Sequence, residues 1–230
     1  MFKKIFFLIK SKTNLAIILK FITCKLLRIF NKSKVKKEKK YYKSLLKNLV
    51  ISSDFFSTNV YYFFKHIERY KKFNYLEIGS YEGCSAIYIA NRFKESKIFC
   101  VDIWERVKEE YNENIDFNDI EKNFNLNSKN YPNVIKIKKY SDQFFLENHQ
   151  FFDVIYVDGH HLAEQVYKDA VNSWNVLNTK GLIIFDDYIW NNYSDVTKNP
   201  CFAINKFIKE RQDNLDIIEV TNSQIFIKKK

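Results

Sequence analysis

Glycine and proline are scarce in this 230-residue chain, with four Gly and two Pro. That excludes collagen-like and Gly/Pro-rich low-complexity architectures. The four cysteines, Cys24, Cys84, Cys100 and Cys201, are scattered and form no Cys-x-x-Cys. Neither a zinc site nor a disulfide framework is signalled, and reduced thiols in a cytoplasmic setting are the default. No run of about 20 mostly apolar residues exists, so no spanning helix is expected. Acids are nearly missing from the N-terminus: residues 1–48 hold 14 Lys, Arg28 and the single acid Glu38.

The charge is therefore lopsided. The net +11 divides into +14 for residues 1–48 and −3 for the rest. A slightly acidic body argues against a basic nucleic-acid groove across it. Apolar and aromatic residues are plentiful, as in a globular chain with a sizeable core. The aromatic excess reads as compositional bias and carries no function by itself.

Three segments follow from the pattern: a basic N-terminal piece (1–40), a helical cap or lid (41–71) and a larger domain (72–230). The start, MFKKIFFLIKSKTNLAIILKFITCKLLRIF, fails as a signal peptide, because lysines interrupt the apolar stretches and no small-residue cleavage pattern follows. Taken as one helix at about 100° per residue, Lys3, Lys10, Lys20, Lys25, Arg28 and Lys32 share an arc of about 140°. Ile5, Ile9, Leu19, Ile22, Leu26 and Ile29 supply much of the remainder, whereas Lys4 and Lys12 do not fit. Two readings stay open: a helix in an anionic membrane interface, or one docked on the body or a partner. The run NKSKVKKEKK (31–40) adds a polybasic patch to the first.

From about residue 72 strands and helices alternate. NYLEIG (74–79), KIFCVDIW (97–104), NVIKIKK (133–139), FFDVIYVD (151–158) and GLIIFDD (181–187) read as strands. SAIYIANRF (85–93), the stretch near 105–126, LAEQVYKDAVNSWNVL (162–177) and CFAINKFIKERQ (201–212) read as helices. LDIIEV (215–220) and QIFIKK (224–229) close as a hairpin. This predicts an α/β fold, Rossmann-like and doubly wound, with a mostly parallel seven-stranded sheet and an antiparallel C-terminal hairpin strand.

Three of the four glycines, Gly79, Gly83 and Gly159, follow predicted strands, at the sheet edge where open α/β sheets bind ligands. LEIGSYEGCS (76–85) is neither Gly-x-Gly-x-x-Gly nor a P-loop. Asp102 ends the second strand, 23 residues after Gly79, where an acid accepts hydrogen bonds from ribose hydroxyls. Asp158 and the pair Asp186–Asp187 end neighbouring strands. Three carboxylates in one crevice repel unless protonated or bridged by a cation, and oxygen-only ligands select a hard ion, Mg2+ first.

With FDVIYVDGHH after strand four and GLIIFDDYIW after strand five, residues 72–210 resemble the class I S-adenosylmethionine-dependent methyltransferases, in a branch that includes O-methyltransferases of small molecules and sugars. The resemblance implies S-adenosylmethionine as cofactor. It implies that the Glu77–Gly83 turn, with Gly79, Ser80, Tyr81 and the following Ser85, wraps the methionine part. It puts Asp102 on the ribose and Ser141 and Asp142 by the adenine. Asp158, Asp186 and Asp187 match the positions that bind a divalent metal in metal-dependent members, and Asp158 also borders the cofactor. His161 matches the His of Asp-Gly-x-His, a candidate general base, with Asp158 beside it. His160 departs from the pattern, leaving open which His faces the site.

Blander roles stand beside these. Asp186 or Asp187 can cap a turn, Asp158 can bond the cofactor's amino group, and Glu77 can merely satisfy backbone donors. Cys84 reads as a packed residue. Trp104 and Trp190 fit an acceptor pocket or surface packing. An enzyme acting on nucleic-acid amino groups is disfavoured, because its Pro-Pro-Tyr turn is absent. The expected activity is methyl transfer to a hydroxyl of a sugar, glycan or small metabolite, assisted by Mg2+, with residues 1–40 on an anionic membrane surface. The alternatives are a Rossmann-like cofactor binder of other chemistry, such as hydroxylation, and a membrane-associated binding module. The acceptor and any homo-oligomer are left open.

Overall fold

The computed structural model describes residues 1–105 and 117–230. The helical character expected near 105–126 therefore falls partly outside the described residues, at 106–116.

Seven strands form one sheet: β1 (Asn74–Ile78), β2 (Lys97–Asp102), β3 (Val134–Lys138), β4 (Phe152–Val157), β5 (Leu177–Phe185), β6 (Leu215–Val220) and β7 (Ile225–Lys229). Their spatial order is β3-β2-β1-β4-β5-β7-β6. β1 through β5 pair in parallel, and β7 slots antiparallel between β5 and β6. The expected fold class is what the chain adopts. Apolar residues dominate β4 and the buried half of β5, residues 181–185, because both faces of a parallel sheet are covered.

Nine α-helices are present among the described residues: α1 (Phe2–Lys10), α2 (Leu15–Phe30), α3 (Lys32–Leu46), α4 (Val60–Ile67), α5 (Cys84–Arg92), α6 (Phe117–Ser128), α7 (Ser141–Glu147), α8 (Ala163–Val176) and α9 (Pro200–Glu210). One apolar cluster gathers side chains of α1, α2, α7, α8 and α9 on one sheet face. Another gathers α3, α4, α5 and α6 on the opposite face. Strand order reverses at β1 and β4, which opens a crevice beyond their carboxyl ends.

The N-terminal segment differs from the single helix supposed from sequence. It breaks at Ser11–Asn14, where Lys12 takes φ 55° and the Asn14 side chain caps α2 by accepting from the Ala16 amide at 2.8 Å. Phe7, Leu8, Ile17, Ile18 and Phe21 are buried against the body. Lys32–Lys40 of the polybasic stretch are helical, and α3 runs through the boundary drawn at 40/41. Helix α7 was not foreseen: seven residues are too few to show a period. Strand β5 starts at Leu177 rather than Gly181, with a register shift against β4 between Phe152 and Val154. No helix among the described residues is long and apolar enough to cross a membrane.

Candidate active site

The turn after β1 is built around Gly79. Its φ is +85°, and a Cβ there would meet the Asp158 carbonyl oxygen at 2.1 Å. Only glycine permits this approach between the ends of β1 and β4. Gly83, at φ +84°, caps α5, and Tyr81 is also left-handed at φ 48°.

Asp102 at the end of β2 fastens this turn. One oxygen accepts the Ser80 and Tyr81 amides at 2.9 and 3.0 Å, and the other accepts the Trp104 amide at 2.8 Å. Burial raises its pKa, and these amide bonds act in the opposite direction. A carboxylate has about four acceptor positions, so room remains for a ribose hydroxyl. Glu77 is fully buried and accepts from the Tyr75 hydroxyl at 2.7 Å. Burial pushes its carboxyl up to about 7. Glu77 Oε1 and Ser80 Oγ are buried without a hydrogen bond among the described residues. Buried polar atoms in native proteins are nearly always paired, so these two fit a polar ligand on the turn.

Ser141 and Asp142 open α7, and Gln165 of α8 donates to both, at 3.3 and 3.1 Å, and to Asp169 at 3.2 Å. Ser85 lies in the first turn of α5, below Gly83.

On the other side of the crevice, Asp158, His160, His161, Asp186 and Asp187 line one small cavity of about 10 Å³. That is roughly one water's room. The Tyr156 hydroxyl contacts Asp158 Oδ2 at 2.7 Å and also Asp186 Oδ2. One hydroxyl proton cannot serve both carboxylates at once, so the pair favours a shared proton or a cation. Burial pushes Asp158 well above the carboxylate range, with the charges of Asp186 and Asp187 adding to it. Burial, then Asp187, pushes Asp186 up to about 6. Asp186 Oδ2 also accepts from Gln224 at 2.8 Å and Asn59 at 3.2 Å, and its Oδ1 accepts the Asp187 amide at 2.8 Å.

Asp187 takes φ 53° and accepts from His161 Nε2 at 2.9 Å. The His161 ring stacks on Trp190 at 4.8 Å and 12°. His160 Nδ1 instead accepts the Leu162 amide at 2.9 Å. Among the described residues, His161 pairs with the Asp187 carboxylate and His160 holds the Leu162 amide. Trp104 is buried, with its indole N–H donating to the Tyr81 carbonyl at 2.8 Å.

The three carboxylates meet, but not as an ion cage. Among the described residues no group of three His, Cys, Asp or Glu is placed to hold a metal. Tyr156, Gln224 and Asn59 crowd Asp186 Oδ2, and the Asp187 amide occupies one position on Oδ1, so the loose trio expected from sequence is not a formed ligand set.

Sequence reasoning missed Asn59, Glu82, Tyr156 and Gln224. Asn59 and Gln224 arrive from distant segments. Glu82 is fully buried and holds the Ser52 amide at 3.0 and 2.8 Å, pinning the loop before α4 to the site. Tyr156 was findable: it sits two residues before Asp158, and alternate strand residues share a face.

A sheet of this order with a glycine-tight β1 turn, an acid ending β2 and acids ending β4 and β5 matches a family model described as a methyltransferase domain, over residues 76–188. Residues 76–188 are thus a methyltransferase domain, on the Rossmann-like fold of the S-adenosylmethionine-dependent methyltransferases. Two solved methyltransferases share its fold. One is MycE of the mycinamycin biosynthetic pathway, in complex with Mg, S-adenosylhomocysteine and mycinamycin VI, at 15% identity and TM-score 0.56, covering 85% of this chain and 54% of that one. The other is an O-methyltransferase from Bacillus cereus in complex with S-adenosylhomocysteine, at 15% identity and TM-score 0.55, covering 93% and 100%. The chain thus spans about half the length of the MycE chain. Likeness at such identities is likeness of fold. The comparison with curated proteins finds no match.

Proposed function

We propose that the enzyme transfers a methyl group to a hydroxyl of a sugar, glycan or small metabolite, with His161 as general base. The observation that carries this reading is the His161–Asp187 pair on the cavity bordered by Asp158, at the edge where the Gly79 turn lies. A fold neighbour named an O-methyltransferase, and another from the mycinamycin biosynthetic pathway in complex with mycinamycin VI, support the hydroxyl acceptor.

S-adenosylmethionine, when bound, supplies an electrophilic methyl on a sulfonium sulfur. The Gly79 turn, Glu77, Ser80, Tyr81, Gly83 and Ser85 would hold its methionine part, Asp102 its ribose, and Ser141 and Asp142 would border its adenine. Asp158, on the same sheet edge, would border both cofactor and acceptor. With Nε2–H donating to Asp187, a neutral His161 ring would be the base that takes the acceptor's hydroxyl proton. The deprotonated acceptor oxygen would be the nucleophile toward the methyl that S-adenosylmethionine supplies, with the S–C electron pair left on sulfur. Asp187 steadies the imidazolium. General-base assistance contributes about 10²- to 10⁴-fold, and positioning in line supplies another large part. The loop before α4, fixed through Ser52 and Asn59, acts as the lid.

A metal-assisted form is a second reading, favoured by one observation: two buried carboxylates share a single hydroxyl donor. Asp158, Asp186 and Asp187 are its candidate ligands, after rearrangement. The deciding experiment is methyl transfer from S-adenosylmethionine to a panel of hydroxyl acceptors, with and without Mg2+ and with Asp187→Ala. Transfer to amines but to no hydroxyl would overturn the O-directed reading. Full activity in chelator would remove the metal from it.

A further inference from the structure

We infer that α1 and α2 form a docking face for an anionic lipid bilayer, built from apolar side chains that the fold leaves uncovered. Docking on the body consumes only one face of each helix. On α1, Phe7 and Leu8 are buried, whereas Phe2 is 83% exposed and Phe6 and Ile9 are 59% exposed. At about 100° per residue those three outward residues lie within about 60° of one another. On α2, Ile17, Ile18 and Phe21 are buried, while Leu15, Leu19, Leu26 and Phe30 point outward in a similar stripe. Helix α2 is thus apolar on both sides, which is unusual for a surface helix of a globular protein.

Ten of the sixteen exposed large apolar side chains among the described residues lie within residues 1–30. Scattered exposed apolar residues need no explanation, but a concentration of this kind marks an interaction surface. The charge around it selects the occupant. Residues 1–30 contain no acid. Lys3, Lys10, Lys12, Lys20 and Arg28 are exposed, and none has a carboxylate partner among the described residues. Lys10 lies over the Phe6 ring at 4.6 Å, at the border between apolar stripe and solvent. Phenylalanine and leucine flanked by lysine suit the boundary between acyl chains and anionic headgroups. A second copy of this chain would bring the same positive charge against it. Nucleic-acid phosphates would leave the outward phenylalanines and leucines in water.

The face is presented rigidly. Asn205 of α9 holds the α1–α2 corner, donating to Ser11 O at 3.0 Å and Thr13 Oγ1 at 2.9 Å. Lys4 Nζ donates to Asn222 O at 2.7 Å, in the β6–β7 turn whose Gln224 holds Asp186. Docking through α1 therefore brings the acidic side of the crevice close to the lipid surface. The inference stands apart from the chemistry proposed above, since it needs neither cofactor nor acceptor.

The experiment is co-sedimentation of the full chain with vesicles of phosphatidylcholine alone and of phosphatidylcholine with phosphatidylglycerol at about 7:3. We expect the anionic vesicles to bind at least about tenfold more tightly. Phe2→Ser/Phe6→Ser/Leu19→Ser/Leu26→Ser and, separately, Lys3→Glu/Lys10→Glu/Lys20→Glu should each reduce that binding about tenfold or more. Both variants alter outward side chains, so their melting midpoints and S-adenosylhomocysteine binding should match the parent chain. Absence of vesicle binding by the parent, or equal binding by all three proteins, would overturn the inference. So would a parent dimer that the apolar variant converts to monomer without any lipid effect, since the face would then belong to a second copy.

Discussion

The two halves of the crevice give their carboxylates different partners. On the cofactor side, burial raises the Asp102 pKa, and three backbone amides counter it and tie the carboxylate to the turn it sits under. On the acceptor side, Asp158 and Asp186 share one tyrosine hydroxyl, and burial lifts both above the usual carboxylate range. The first half is architecture completed by the chain itself. The second is short of positive charge, and such a deficit is where protons and cations are exchanged. On the proposed reading, one sheet edge separates holding from reacting.

The largest expected effect attacks the point where the halves touch. Gly79→Ala places a methyl 2.1 Å from the Asp158 carbonyl in a left-handed backbone position. We expect S-adenosylhomocysteine binding to vanish in calorimetry. Stability should drop by about 3 kcal/mol, a fall in melting midpoint of roughly 6–12 °C.

Next comes the reacting half alone. His161→Ala should lower turnover by about 10²- to 10⁴-fold while cofactor affinity stays within about twofold. Asp187→Asn should follow it in direction, because the histidine loses the carboxylate that orients it. A matching loss of cofactor affinity in either variant would erase the distinction between the halves.

Asp102→Asn probes the holding half. Losing the charge and part of the amide clamp should weaken cofactor binding about 10- to 100-fold. Turnover at saturating cofactor should change little. Together with Asp187→Asn this gives a crossed pattern, one variant acting on affinity and the other on rate.

The smallest effect is electrostatic. Unfolded carboxyls titrate near about 4. Folded Glu77 and Asp186 titrate at about 7 and about 6. Between those values the native chain binds more protons than the unfolded chain, so stability falls as pH rises from about 5 to about 7. Glu219 runs the other way: burial would raise it, yet His66 and Lys65 bring it down to about 2, so its contribution is lost only in stronger acid. Melting midpoints between pH 5 and 7, taken in about half-unit steps, should decline for the parent and decline less for Asp186→Asn.

How far the site could be read from the chain depends on how local its parts are. Gly79, Asp102, Asp158 and Asp186–Asp187 each sit at the end of a strand with a strong apolar run, so strand pattern and topology place them together. The Tyr156 and Tyr75 hydroxyls were equally local, each two residues before an acid on the same strand face. Their role was hidden only because tyrosine in a strand also reads as core. Asn59 and Gln224 were beyond reach, since they meet Asp186 from segments 127 and 38 residues away. The N-terminal helices show a different limit. Membrane face and docked face were weighed as rivals from a single helical wheel, whereas the break at Ser11–Asn14 lets each helix bury one apolar face and expose another.

The most direct measurement is calorimetric titration of S-adenosylhomocysteine into the full chain and into folded Gly79→Ala. Saturable one-to-one binding by the parent, absent from the variant, is the predicted result. A parent chain that is folded and takes up no S-adenosylhomocysteine would contradict the assignment of the β1–β4 crevice as a cofactor site.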